Sequence, residues 1–123
     1  MKILIVEDEE VLALVLKEKL ELDHFEVQTA VDGEAGLAAV GSFRPDFILL
    51  DLVMPKKTGM EVLEELKASP QFKDIPVIVL SNLDTDADIK KALALGALDY
   101  FVKAHHPINE IVEKVKTYSL KPH

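Results

Sequence analysis

Phe47-Ile48-Leu49-Leu50 runs without a polar break into Asp51, inside the stretch Asp46-Phe47-Ile48-Leu49-Leu50-Asp51-Leu52-Val53-Met54-Pro55. A short apolar run that does not alternate with polar residues suggests a strand covered on both faces. Residues 3–6, 77–80 and 98–102 repeat the pattern on either side of it. Residues 25–29 are half polar and alternate, as an edge strand does.

Helical patterns separate these runs. Val11, Leu12, Val15, Leu16, Leu20 and Leu22 give a broad apolar stripe over residues 11–22. Asp32 is suited to cap a helix over 33–40, with Gly41 as its end. Thr58 with Glu61 is a capping-box signature ahead of Met60, Leu63 and Leu66. Thr85 with Asp88 is a looser one, ahead of residues 89–95 and a stop at Gly96. Pro107 suits the first position of a last helix, where its missing N–H costs nothing, and Ile108, Ile111, Val112 and Val115 supply one face of it.

Strand and helix thus alternate five times, which calls for a parallel sheet with right-handed crossovers. Five units are too few for an eightfold barrel. The expected fold is α/β: an open, doubly wound, five-stranded parallel sheet in order 2-1-3-4-5 with five helices, one domain over residues 1–119 and a short tail over 120–123. Tyr118 and Leu120 are expected to close the last helix against the sheet.

The chain has 123 residues and a formal charge of −8, which argues against nucleic acid or an anionic membrane as a direct partner. It has no cysteine, which removes disulfides, thiolate metal sites and cysteine nucleophiles together. The opening apolar run is too short for a signal peptide and is followed by four acids, so a cytoplasmic location is expected.

In a sheet of this order, sites form beyond the carboxyl ends of the strands, where the first and third diverge. Glu7, Asp8, Glu9 and Glu10 follow the first strand, Asp51 the third, Ser81 the fourth and Lys103 the fifth. The first turn holds acids where a nucleotide or flavin fold would place phosphate-cradling glycines. Clustered carboxylates suit a hard divalent ion such as Mg²⁺, which is commonly shared with a phosphoryl oxygen. The set reads as a metal-assisted phosphoryl site with Asp51 as nucleophile and Ser81 and Lys103 binding the oxygens of the transferred group. Glu9 and Glu10 read as a solvated helix start favoured by the helix dipole.

These residues resemble the response-regulator receiver domains, the CheY-like phosphoacceptor modules of two-component signalling, with a flavodoxin-like fold. The motifs are Val6-Glu7-Asp8-Glu9, the stretch 46–55 quoted above, Gly59, Val79-Leu80-Ser81, and Gly96-Ala97-Leu98-Asp99-Tyr100-Phe101-Val102-Lys103. The resemblance implies that Asp51 takes a phosphoryl group from the phosphohistidine of a histidine kinase or phosphotransfer protein. It implies Mg²⁺, with Mn²⁺ as a substitute, held by Asp8, Asp51 and the backbone carbonyl of Val53, with Glu7 acting through water. Ser81 and Tyr100 stand where the family has its switch pair, and Lys103 where it has its lysine. The implied readout is the surface of helix four, strand five and helix five, near Lys90, Lys91, Asp99, Glu110 and Lys114, toward an output partner or a second copy of the chain.

Two departures stand out. Ala104 follows Lys103 where the family usually has proline, often through a cis bond; a cis bond before a non-proline residue costs ~3 kcal/mol, so a trans loop is expected. Lys56 and Lys57 occupy the loop after Pro55 and read as a solvated loop, with partner contact as the other reading. The rival functions are a phosphohydrolase of the haloacid dehalogenase type and a non-phosphorylated binding module of the same fold. Val53 argues against the first, which needs a second aspartate there, and the complete acidic, hydroxyl and lysine set argues against the second. Turnover of a separate substrate is not expected. Val53 and Leu83 offer no base to an attacking water, so slow loss of an acyl phosphate is expected.

Overall fold

The computed structural model describes residues 1–120, which alternate strictly as β1 (Lys2–Val6), α1 (Glu10–Leu22), β2 (Glu26–Ala30), α2 (Gly33–Phe43), β3 (Phe47–Leu50), α3 (Gly59–Ala68), β4 (Val77–Ser81), α4 (Asp86–Ala94), β5 (Asp99–Val102) and α5 (Ile108–Ser119). The strands form one parallel sheet in the order β2-β1-β3-β4-β5, as the alternation requires. The expected tail, apart from Leu120, and His123 with it, lie outside the described residues.

The two-residue period of the strands sorts their side chains into two cores. Leu4, Val6, Ile48, Leu50, Val77 and Val79 face α2, α3 and α4, where Val40, Val62, Leu63, Leu66 and Ala92 meet them. Ile3, Ile5, Phe47, Leu49, Ile78 and Leu80 face α1 and α5, where Leu16, Leu20, Ile111, Val112 and Val115 meet them. Each such side chain contributes roughly 1.5–3 kcal/mol on burial, so the inner strands are held on both faces. Edge strand β2 buries only Val27 and Ala30, which is why its sequence alternates.

The caps form as expected in three places. Asp32 accepts from the Ala35 N–H, Thr58 and Glu61 make a reciprocal capping box, and Thr85 accepts from the Asp88 N–H. Gly96 ends the α4 region at φ +112°, a conformation that side chains rarely adopt.

Four expectations are corrected. Gly41 does not end α2; the helix continues to Phe43, which packs on the first core, and Arg44 takes the left-handed cap at φ 54°. The stripe on α1 is narrower than its apolar content, because Val11 and Leu22 point to solvent and Ala13, Leu16 and Leu20 carry the buried face. Pro107 is the N-cap of α5 and not its first residue, since its ψ of 152° is extended. Leu120 is exposed and closes nothing, whereas Tyr118 packs on the second core and its hydroxyl donates to Asp99.

Candidate functional site

The parallel register brings the ends of β1, β3, β4 and β5 to one rim. The Asp51 N–H donates to the Val6 carbonyl and the Lys103 N–H to that of Ser81, each at 2.9 Å, so the residues after these strands are held by the sheet's own ladder. Glu7, Asp8 and Asp51 each offer a carboxylate oxygen such that all three lie within 4.8 Å of one another. Glu7 and Asp51 are buried and Asp8 is exposed. The Lys103 ammonium reaches into them, 2.7 Å from Glu7 Oε1 and 3.3 Å from Asp51 Oδ2.

A cavity of about 270 Å³ opens onto this rim, lined by Asp8, Glu9, Asp51, Val53, Asn82, Leu83 and Lys103. A larger groove of about 360 Å³ beside α1 and the end of β2 also includes Glu7 in its lining, but it lacks Asp51 and Lys103. The chemistry therefore belongs to the smaller cavity.

Burial raises the Glu7 carboxyl from 4.5 to about 7; Lys103 and the Glu9 N–H pull it down and the Asp51 charge adds to the rise. For Lys103, burial lowers the ammonium's value, but the hydrogen bond to Glu7 and the charges of Asp51, Glu7 and Glu9 outweigh it and the net shift is upward. Lys103 is therefore a fixed cation, and the acids around it carry more negative charge than it balances. An all-oxygen donor set with a surplus of negative charge suits a hard divalent cation. Glu7, Asp8 and Asp51 fit that ion on their chemistry and spacing.

Gly59 makes the Asp51 position possible. A Cβ there would overlap the Asp51 carbonyl oxygen and the Leu52 Cα, so only glycine lets the start of α3 lie against the end of β3. The Gly59 N–H then donates to the Leu52 carbonyl at 3.0 Å. The Val53 N–H donates to Asp51 Oδ1 at 3.3 Å, and the Val53 side chain stays exposed at the mouth.

Ser81 is fully buried at the end of β4, and its hydroxyl accepts from the Leu83 N–H at 3.2 Å. The Tyr100 hydroxyl donates to the Leu83 carbonyl at 2.5 Å. Leu83 therefore joins Ser81 to Tyr100. Burial raises the Tyr100 phenol, with the Ser81 hydroxyl opposing it and nearby acids adding to the rise.

Sequence reasoning singled out Leu83 only for its apolar side chain and missed its backbone link between Ser81 and Tyr100, which leaves no composition signal. It also missed the second contact of Glu9, whose Oε2 lies 3.6 Å from Lys103 Nζ. The run of four acids held that signal, but dipole stabilisation of α1 accounted for it equally well. Lys56 and Lys57 are paired within the molecule, with Asp32 at 3.6 Å and Glu65 at 2.7 Å. Asp99 accepts from the Tyr100 N–H and the Tyr118 hydroxyl, so it is a brace between β5 and α5. Every described peptide bond is trans, including the one after Lys103, and Lys103 reaches the site without a proline behind it.

An open α/β sheet carrying an acidic triad, a buried hydroxyl and a lysine at the carboxyl ends of its strands defines a doubly wound protein with an acidic site at its switch point. The sequence pattern of the response regulator receiver domain matches residues 3–116, and the chain belongs to that family, whose members serve two-component systems and are phosphorylated on aspartate. Response regulator PleD of Caulobacter vibrioides is 37% identical over 119 residues, covering 97% of this chain and 26% of PleD. Transcriptional regulatory protein CpxR of Klebsiella pneumoniae is 39% identical over 124 residues, covering 99% of this chain and 50% of CpxR. The Mn²⁺-bound form of response regulator Rcp1 superposes with a TM-score of 0.86 at 30% identity, covering 99% of this chain and 96% of that one. The chain spans between about a quarter and half of the length of these curated relatives. No helix among the described residues is long and apolar enough to cross a membrane.

Proposed function

We propose that this chain accepts a phosphoryl group on Asp51 from the phosphohistidine of a histidine kinase or phosphotransfer protein, in a Mg²⁺-dependent reaction. The observation that carries the reading is the buried Asp51 carboxylate, 3.3 Å from Lys103 Nζ and within 4.8 Å of Glu7 and Asp8. An Asp51 carboxylate oxygen forms the new bond to phosphorus as the P–N bond breaks, and the electron pair leaves with the imidazole nitrogen. Lys103 exchanges its contact with Asp51 for one with a phosphoryl oxygen, and the Ser81 hydroxyl can turn to donate to another. Asp8, Asp51 and the Val53 carbonyl would hold Mg²⁺, with Glu7 reaching it through water. When bound, the ion offsets negative charge between the carboxylates and the incoming group. The Mn²⁺ in Rcp1 supports Mn²⁺ as a substitute.

The product adds about −1.5 to −2 of charge to a crowded rim. Drawing Ser81 toward it breaks the bond to the Leu83 N–H, and Leu83 carries the change to Tyr100 through its carbonyl. The readout is then the α4–β5–α5 surface, toward an output partner or a second copy of the chain. The relatives named as transcriptional regulators support an output in a separate domain or protein. No turnover of a separate substrate is proposed.

The test is incubation with acetyl phosphate, with Mg²⁺ or with chelator, followed by intact mass. One phosphoryl group that requires Mg²⁺ supports the reading. Hydrolysis of the donor with no labelled protein would favour the phosphohydrolase reading, and neither labelling nor hydrolysis would favour the binding module.

A further inference from the structure

Glu9 carries a charge at the mouth of the site that belongs to neither the helix cap nor the acidic triad. It is the N-cap of α1, yet its side chain makes no capping hydrogen bond. Its backbone N–H, and not its carboxylate, is tied inward, donating to Glu7 Oε2 at 3.0 Å. The three-carboxylate cluster does not include it. Its side chain is 56% exposed, lines the mouth of the cavity and points at Lys103 Nζ from 3.6 Å.

The charge count gives this position a consequence. Glu7, Asp8 and Asp51, when ionised, contribute three negative charges. Lys103 and one divalent cation contribute three positive charges. The loaded site is then neutral without Glu9 and carries one negative charge with it. A charge at the mouth of a cleft acts on whatever approaches, and its effect grows with the approaching charge.

We propose that Glu9 is a specificity-determining residue of this site. It disfavours small, free, multiply charged phosphodonors relative to donors of lower net negative charge. The inference rests on the reading of Asp51 as phosphoacceptor. Glu9 touches no reacting atom. It acts through the field at the cavity mouth and through its contact with Lys103.

The test compares wild type, Glu9→Gln and Glu9→Asp at saturating Mg²⁺. Two donors are used: acetyl phosphate, a dianion near neutral pH, and phosphoramidate, which carries less negative charge. Glu9→Gln is expected to raise the second-order labelling rate with acetyl phosphate about three- to tenfold, mostly through a lower apparent KM, as one like charge removed near the approach path predicts. The gain with phosphoramidate is expected to be less than half of that. Added salt shrinks the difference, because the mouth is open to solvent. Glu9→Asp is expected to restore the wild-type preference, since it restores the charge. In the absence of any donor, Mn²⁺ titration should show weaker binding to Glu9→Gln, by roughly threefold for one screened charge.

Equal acceleration of both donors would mean that Glu9 only restrains Lys103, and would overturn the inference. So would unchanged rates, or a donor preference insensitive to salt. If the wild type labels on Asp51 and these comparisons fail, the donor-selection inference alone falls. If the wild type labels with neither donor, the phosphoacceptor reading falls and takes the inference with it.

Discussion

Replacing Lys103 with methionine keeps most of the stem and removes the cation that touches Glu7 and Asp51. At an effective dielectric of ~20, the contacts at 2.7 Å and 3.3 Å correspond to about 11 kcal/mol of attraction. On the same scale, three carboxylates whose oxygens lie within 4.8 Å of one another repel by about 10 kcal/mol. The two nearly cancel, and the variant leaves the repulsion unopposed. The molecule relieves most of it by holding a proton on Glu7 and turning the exposed Asp8 toward water. The expected loss is therefore about 3–5 kcal/mol, the range for a buried ion pair that loses one partner. That is a large share of the ~5–15 kcal/mol stability of an ordinary domain.

The loss has a definite pH dependence. Burial raises Glu7 to about 7 even with Lys103 pulling the other way. A carboxyl raised in the folded state contributes stability in full below its unfolded value and loses it as pH rises through the folded value. Removing Lys103 raises the folded value further, so the variant's deficit is smallest near pH ~5 and grows above pH ~7. Mg²⁺ acts in the opposite sense. Lys103 no longer competes for the carboxylates, so saturating Mg²⁺ stabilises the variant more than the wild type. Urea unfolding followed by circular dichroism measures both effects, since the chain has no tryptophan to report by fluorescence. A deficit that changes neither with pH nor with Mg²⁺ would reflect lost packing of the lysine stem and would refute the charge argument.

Three further variants probe the surroundings of the site. Gly59→Ala gains ~0.5–1 kcal/mol of helix propensity, but its Cβ overlaps the Asp51 carbonyl and overpacking costs about 1–3 kcal/mol, so urea unfolding should show net destabilisation; a variant as stable as wild type would disprove the close approach. Tyr100→Ala breaks the link to the Leu83 carbonyl, and the amide resonances of α4 should respond less to phosphorylation; an undiminished response would remove Tyr100 from the signalling route. Val53→Asn places a polar group at the cavity mouth that can orient water, and the acyl phosphate should be lost several times faster; equal lifetimes would show that Val53 does not protect it.

What the sequence displayed well was whatever the sheet itself imposes. Unbroken runs such as Phe47–Leu50 announced doubly covered strands, and parallel alternation left few possible orders. Once the order was known, Glu7, Asp8, Asp51 and Lys103 were bound to lie at one rim with the buried Ser81 ending the neighbouring strand, because each ends a strand or follows one within two residues at the same edge. What stayed hidden depended on packing or on backbone atoms. Gly41 looked like a helix end until the packing of the partly buried Phe43 on the first core carried α2 two residues past it. The apolar residues of α1 gave no sign that Val11 and Leu22 face solvent, since propensity does not choose between adjacent faces. Leu83 works through its N–H and carbonyl, which every residue but proline has. Glu9 had two sufficient explanations, and only the 3.6 Å approach to Lys103 separates them.

The account turns on which atom receives phosphorus, and acyl phosphate chemistry gives a direct reading. Protein labelled with acetyl phosphate and Mg²⁺ is reduced with borohydride, which converts a phosphorylated aspartate to homoserine, and the peptide spanning 46–55 is then sequenced by mass spectrometry. The account predicts homoserine at position 51 in the wild type and no homoserine anywhere in Asp51→Asn. Homoserine at Asp8 or another aspartate in the wild type, hydroxynorvaline at a glutamate, or labelling that survives in Asp51→Asn, would contradict it.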